Sequence, residues 1–247
     1  MSRNVGDLLR TTARGLGQTF LTVGFVLLLF VVYELWVTDL QSAAAQEDLT
    51  TELREEWSRE APAARAVPGE LTDGEAFAFL HIPRLGEDYA RAVVEGTAAE
   101  DLEQGPGHYR DTAMPGEQGN FAVAGHRVGR GSPFLELDEM RPGDPIIVET
   151  ADSWFVYRVL GDPVTGDLAG GPSPVPGQQI VSPADVAVIS PTPGGAADGP
   201  ATGAYLTLTT CHPEYSARQR LIVHAVLDGA PIARADAPAG PPALNGQ

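Results

Sequence analysis

The sequence predicts an all-β domain, a closed or nearly closed barrel, standing behind one membrane-spanning helix. Three observations predict it. Seven runs of six to eight residues, rich in Val, Ile, Leu, Phe and Tyr, recur between positions 77 and 227 with Gly, Pro and Asp between them, the pattern of short strands joined by turns. Helical spacing inside that region is confined to two short segments. One long apolar stretch precedes the whole series.

The apolar stretch is Phe20–Tyr33 (FLTVGFVLLLFVVY), and counting from Thr19 to Leu40 gives 22 residues. As a helix that is roughly 33 Å, enough to cross a hydrocarbon core of about 30 Å. Glu34 lies near its end, between Tyr33 and Trp36, where an interfacial aromatic belt would sit. Arg3, Arg10 and Arg14 precede the span and acids follow it. The positive-inside rule then puts residues 1–18 in the cytoplasm and the rest outside. Ala43-Ala44-Ala45 offers a competing signal-peptidase site, but the run is long for the apolar core of a signal peptide. Residues 46–60 place Leu49, Leu53 and Trp57 on one stripe of a charged helix. It serves either as a stalk or as a helix lying on the domain, and residues 61–70 read as a linker.

The strands expected are FAFLHI (77–82), YARAVVEG (89–96), NFAVAGHR (120–127), PIIVET (145–150), SWFVYRVL (153–160), AYLTLTTC (204–211) and RLIVHAVL (220–227). DLEQG (101–105) and FLELDEM (134–140) read as helical. Six to eight strands with so many turns suit one barrel domain. The Ala/Pro/Gly-rich residues 231–247 read as a tail without fixed structure.

Composition narrows the function. The net charge is −17, all 16 basic residues are arginine, and after residue 18 there are 13 Arg against 32 acids. A body this acidic repels nucleic acid. The single cysteine, Cys211, excludes a disulfide within the chain and any multi-cysteine metal site. The five histidines show no metal-ligand spacing, so no zinc site is expected.

Cys211 ends the run YLTLTTC. Alternation puts Leu206 and Leu208 on one face and Thr207, Thr209 and Cys211 on the other. A thiol at a strand end is positioned to be reached, and as a nucleophile it needs a partner to generate its thiolate. His126 also lies at a strand end, between FAVAG and the turn RVGRG. His81 and His224 fall inside strands and read as structural; His212 adjoins Cys211 but faces the other way. Arg218 and Arg220 follow Cys211 by seven and nine residues. An antiparallel return would bring Arg220 beside the thiol, where a guanidinium suits an anionic tetrahedral intermediate.

TLTTCHPEYSARQRLIVHAVL (207–227) resembles the catalytic strand, loop and arginine of sortases, and GNFAVAGHR (119–127) resembles their histidine strand. HIPRLG (81–86), HYRDTAMPGEQGN (108–120) and VSPADVAVISP (181–191) are similar to further sortase segments, so the likeness covers about 75–228. The TLTTC form, the short Cys–Arg gap and the anchor are most like class E, the housekeeping group of actinobacteria. The resemblance implies an eight-stranded sortase barrel over 75–230, tethered by a span at 19–40 through a stalk and linker at 41–74. It implies Cys211 as nucleophile, His126 as acid and base, Arg220 as oxyanion stabiliser, Thr210 as a contact to substrate or oxyanion, and no cofactor. The implied partners are secreted proteins with a Leu-Ala-x-Thr-Gly or Leu-Pro-x-Thr-Gly signal, a peptidoglycan-precursor or cross-bridge amine, and the membrane. Some relatives use calcium, for which Glu136, Asp138 and Glu139 offer acids, read here as solvated surface. A pilin polymerase is the alternative within the family; no aromatic-bearing lid is read ahead of the barrel, and Asp162-Pro163 does not fill that role. A non-catalytic barrel binding cell-wall peptides is the alternative outside it.

Overall fold

The computed structural model describes residues 5–33, 38–59 and 71–245. The expectations placed on Glu34, Trp36 and the 61–70 linker lie outside them.

Helix α1 (Val5–Val32) carries an exposed apolar surface from Phe20 to Val32. Within its segment Arg10–Val32 the most apolar 18-residue stretch has mean hydropathy 2.1 and none of that stretch is buried, as suits a helix solvated by lipid. Helix α2 (Thr38–Arg59) lies against the domain, which decides between the two roles open to it. Leu53 is buried with Phe79 and Ala92, and Trp57 meets Phe79 edge-on at 5.4 Å. Polar bonds fix the helix further. Arg54 forks onto the Glu149 carboxylate, and the Gln46 amide pairs with both backbone groups of Ala92 (2.8 and 3.1 Å). That amide completes the edge of a strand whose other neighbour does not reach so far.

Eight strands close the barrel. β1 (Ala76–His81) pairs with β2 (Ala90–Glu95), which runs parallel to β3 (Gly107–His108); β3 pairs with β4 (Gly119–Ala124). β5 (Pro145–Glu149) joins β1 to β6 (Ser153–Val159). β4 runs parallel to β8 (Ala204–His212), β8 pairs antiparallel with β9 (Gln219–Leu227), and β9 returns to β6. β7 (Gln178–Val181) and β10 (Ile232–Ala233) add to β9 and β6 outside the circle. The interior takes alternate residues: Phe121 and Val123 from β4, Leu206 and Leu208 from β8, Leu221, Val223 and Ala225 from β9. Each such side chain contributes about 1.5–3 kcal/mol on burial, and slipping one strand by a residue would turn its whole set to water.

Two expectations are corrected. FLELDEM forms a 3₁₀ turn only at Leu137–Glu139. Phe134, Leu137 and Met140, all buried, are spaced by three residues, the 3₁₀ period rather than the α period. DLEQG does form a helix, α3 (Ala99–Gln104). The tail after 231 is ordered as far as it is described. β10 pairs with β6, the Trp154 indole N–H donates to the Ala237 carbonyl (3.0 Å), and Ala243 is buried against Ile147 and Trp154. Few apolar residues suffice there because they cover a flat apolar patch on the outside of the barrel.

Candidate active site

The site is a consequence of strand register. β4 and β8 run side by side to the pair Ala124↔Thr209. His126 and Cys211 each come two residues later; β4 ends at Ala124 while β8 runs on to His212 against β9, and the same register carried forward sets His126 and Cys211 abreast. The Gly125 N–H still reaches the Thr209 carbonyl at 3.1 Å, extending the ladder one step beyond the strand. On the other side of β8, Cys211 lies directly opposite Arg220. Opposed residues of an antiparallel pair project to the same face, so the thiol and the guanidinium share the outer face of the barrel. The three residues singled out in the sequence thus converge on one end of adjacent strands. Arg218 is exposed in the intervening loop.

Cys211 is partly exposed and free. His126 is half-buried, and its Nε2 is enclosed with no hydrogen-bond partner among the described residues. Burial pushes the His126 pKa below its ordinary value; the Arg130 cation pushes the same way and Glu103 opposes. The imidazole is therefore neutral at pH 7, with an uncommitted nitrogen. The guanidinium of Arg220 donates from Nη1 to the carbonyls of Ala217 and Gln219 (both 3.1 Å), which leaves its other donors available.

Thr210 does not reach this face. It is 2% exposed, projects with Leu206 and Leu208, and donates to the Gly125 carbonyl at 2.8 Å. The period of two that brings Cys211 outward turns its neighbour inward. Its hydroxyl ties β8 to the chain leading into His126. Thr209 faces outward instead, bonded to Tyr109 Oη at 2.9 Å. Asp138, one of the acids considered for calcium, is paired with Arg127 at 2.7 Å.

A groove runs from this end along the outer face. One cavity of about 120 Å³ is lined by Thr209, Ile222, Arg220, Tyr109 and the wall 181–189. A second, of about 450 Å³, continues past Val186 and Ile189 to Asn120 and Thr112. Val186, on the rim, is an exposed apolar side chain. A buried polar chain, of which only Asn120 lines a cavity, supports the groove wall. Gln179 Nε2 donates to His224 Nε2 (2.9 Å), His224 Nδ1 to Thr207 Oγ1 (2.8 Å), and Thr207 to Asn120 Oδ1 (2.7 Å). Asn120 Nδ2 then donates to the carbonyls of Val188 and Ser190, holding the wall in place. This order requires a neutral His224, and burial lowers its pKa to about 3. The sequence pointed to none of Tyr109, Asn120 or Gln179. Tyr109 and Asn120 do lie within the sortase-like segment HYRDTAMPGEQGN (108–120), which was the one available signal.

Comparison with known proteins gives a consistent answer. The Sortase domain matches residues 80–228. The chain is 37% identical to Sortase SrtE1 of Streptomyces coelicolor over 219 residues, covering 85% of this chain but only 56% of that protein. Against Sortase SrtE2 of the same organism the identity is 32% over 230 residues, covering 90% and 84%. The chain thus spans little more than half of SrtE1 and most of SrtE2. Among solved structures, the SrtF sortase from Corynebacterium diphtheriae superposes with a TM-score of 0.65 at 40% identity, covering 75% of this chain and 98% of that one.

Proposed function

The chain belongs to the sortase family, and on that basis we propose that it is a membrane-anchored cysteine transpeptidase acting on C-terminal sorting signals, with Cys211, His126 and Arg220 as its catalytic residues. The observation that carries the reading is the register: Cys211 opposite Arg220, with His126 abreast on the parallel neighbour.

The chemistry follows from these groups. The neutral His126 imidazole takes the proton of the Cys211 thiol. The thiolate attacks the carbonyl carbon of the signal's threonine, and the carbonyl electrons move to oxygen. Arg220, fixed by the ladder, donates hydrogen bonds to that oxyanion. Collapse of the intermediate breaks the Thr–Gly bond, and the His126 imidazolium gives its proton to the departing glycine amine. A thioester remains on Cys211. An incoming cell-wall precursor amine, deprotonated by His126, attacks it and restores the thiol. An extended pentapeptide spans roughly 17 Å, and the groove from Arg220 towards Asn120 offers an elongated bed for it. The apolar rim at Val186 and Ile189 suits a leading leucine.

Likeness to the class E relatives favours Leu-Ala-x-Thr-Gly over Leu-Pro-x-Thr-Gly. Quenched peptides of both forms test this directly. Thr–Gly cleavage that a thiol alkylator abolishes, faster on the alanine form, is the expected result. Binding of the peptides without cleavage would leave a non-catalytic peptide receptor, and a clear preference for proline would overturn the assignment of signal.

A further inference from the structure

A fourth ionisable residue belongs to this end of the barrel. Arg127, which follows His126, is 5% exposed. Its Nη2 donates to Asp138 at 2.7 Å, its Nη1 lies 3.1 Å from His212 Nδ1, and its Nε is enclosed without a partner among the described residues. A guanidinium only donates, so His212 Nδ1 is the acceptor and its proton sits on Nε2. Burying a cation with one donor unsatisfied is costly, and such a group calls for an explanation.

The positions supply one. Neighbouring residues of an extended chain face opposite sides. Arg127 and His212 therefore meet on the side away from His126 and Cys211. The Thr210–Gly125 bond ties the same two chains one step earlier on that same side. The ties bracket the pair that must exchange a proton. We propose that Arg127 is a positioning residue: by donating to His212 while anchored on Asp138, it fixes the separation of His126 and Cys211. This rests on the transpeptidase reading. Neither cavity of the groove is lined by Arg127 or His212, so substrate binding should be indifferent to the bond.

The test compares kcat and KM on the sorting-signal peptide for the full chain in detergent, using Arg127→Ala, Arg127→Lys, His212→Asn and His212→Leu, with Cys211→Ala as reference. A misplacement of about 1 Å in a reacting pair costs about 10²-fold in rate. Arg127→Ala and His212→Leu should lose up to about that much kcat with KM unchanged. Arg127→Lys should not recover it, because one ammonium does not span two acceptors on separate segments. His212→Asn should keep most of the rate, since its carbonyl accepts where Nδ1 did. Thermal midpoints identify any variant that fails to fold; if Arg127→Ala does, the two His212 variants carry the test. Unchanged kcat in a folded Arg127→Ala, or equal rates for His212→Asn and His212→Leu, overturns the inference alone. A wild type as inactive as Cys211→Ala overturns the transpeptidase reading and the inference with it.

Discussion

The two faces of β8 are built on opposite principles. Inside, Leu206 and Leu208 are fully buried among other apolar side chains of the core. Any residue of similar size and hydrophobicity would serve nearly as well, and the cost of error is a cavity. Outside, Thr207, Thr209 and Cys211 stand against four named partners from three other segments: Asn120 on β4, Tyr109 after β3, and His224 and Arg220 on β9. There the geometry of single atoms matters, because a polar group enclosed without its partner is penalised in full. One strand thus supplies the stability of the barrel from one side and carries the proposed nucleophile on the other. The two properties should separate under mutation.

The largest effect should come from the outer face. Arg220→Ala should lower the rate by about 10²–10³, or roughly 2.7–4 kcal/mol, if the guanidinium meets the oxyanion. Peptide affinity should move little, and Arg220→Lys should restore little because an ammonium lacks the planar fork. Arg218→Ala, in the exposed loop, should be close to wild type. Initial rates and peptide affinities for the three variants decide it; greater damage from Arg218→Ala would show that the wrong arginine has been assigned.

The inner face should answer in the other property. Leu208→Ala should cost about 2–5 kcal/mol of stability, read as a shift in the denaturant midpoint, while the folded fraction keeps its rate. A large fall in rate with unchanged stability would break the division between faces.

The smallest effect at neutral pH should be that of His224→Gln, about 1 kcal/mol for altered hydrogen bonding in the buried polar chain. Its signature lies in acid. The folded pKa of about 3 is below the ordinary 6.5, so the unfolded chain binds the proton first. His224 therefore costs no stability above about pH 6.5 and progressively destabilises the fold as pH falls from there towards 3. The glutamine variant should lose stability less steeply over that window in urea titrations. Equal slopes would mean that His224 is protonated in the folded protein.

The same contrast explains what could be read in advance. The alternating inner faces and the pairing of Cys211 with Arg220 follow from alternation and an antiparallel return, both local, whereas the closure in eight strands came from the family resemblance. Thr210 was assigned to the substrate through its place beside the cysteine in a motif, although the same alternation turns it inward. Tyr109, Asn120 and Gln179 were illegible because each acquires its role from a partner between 45 and 100 positions away. The order of the tail, and the choice between a stalk and a docked helix for α2, were not legible for a similar reason. Gln46 and Ala243 look like surface residues until the strand edge and the apolar patch they cover are known.

The central claim is that Cys211 attacks a peptide carbonyl. Intact-protein mass spectrometry after brief incubation with the Leu-Ala-x-Thr-Gly peptide tests it most directly. The account predicts an added mass equal to the peptide through its threonine, located on the tryptic fragment that holds Cys211, released by hydroxylamine and absent from Cys211→Ala. Cleavage of the peptide by Cys211→Ala, or an adduct that survives that substitution, would contradict it.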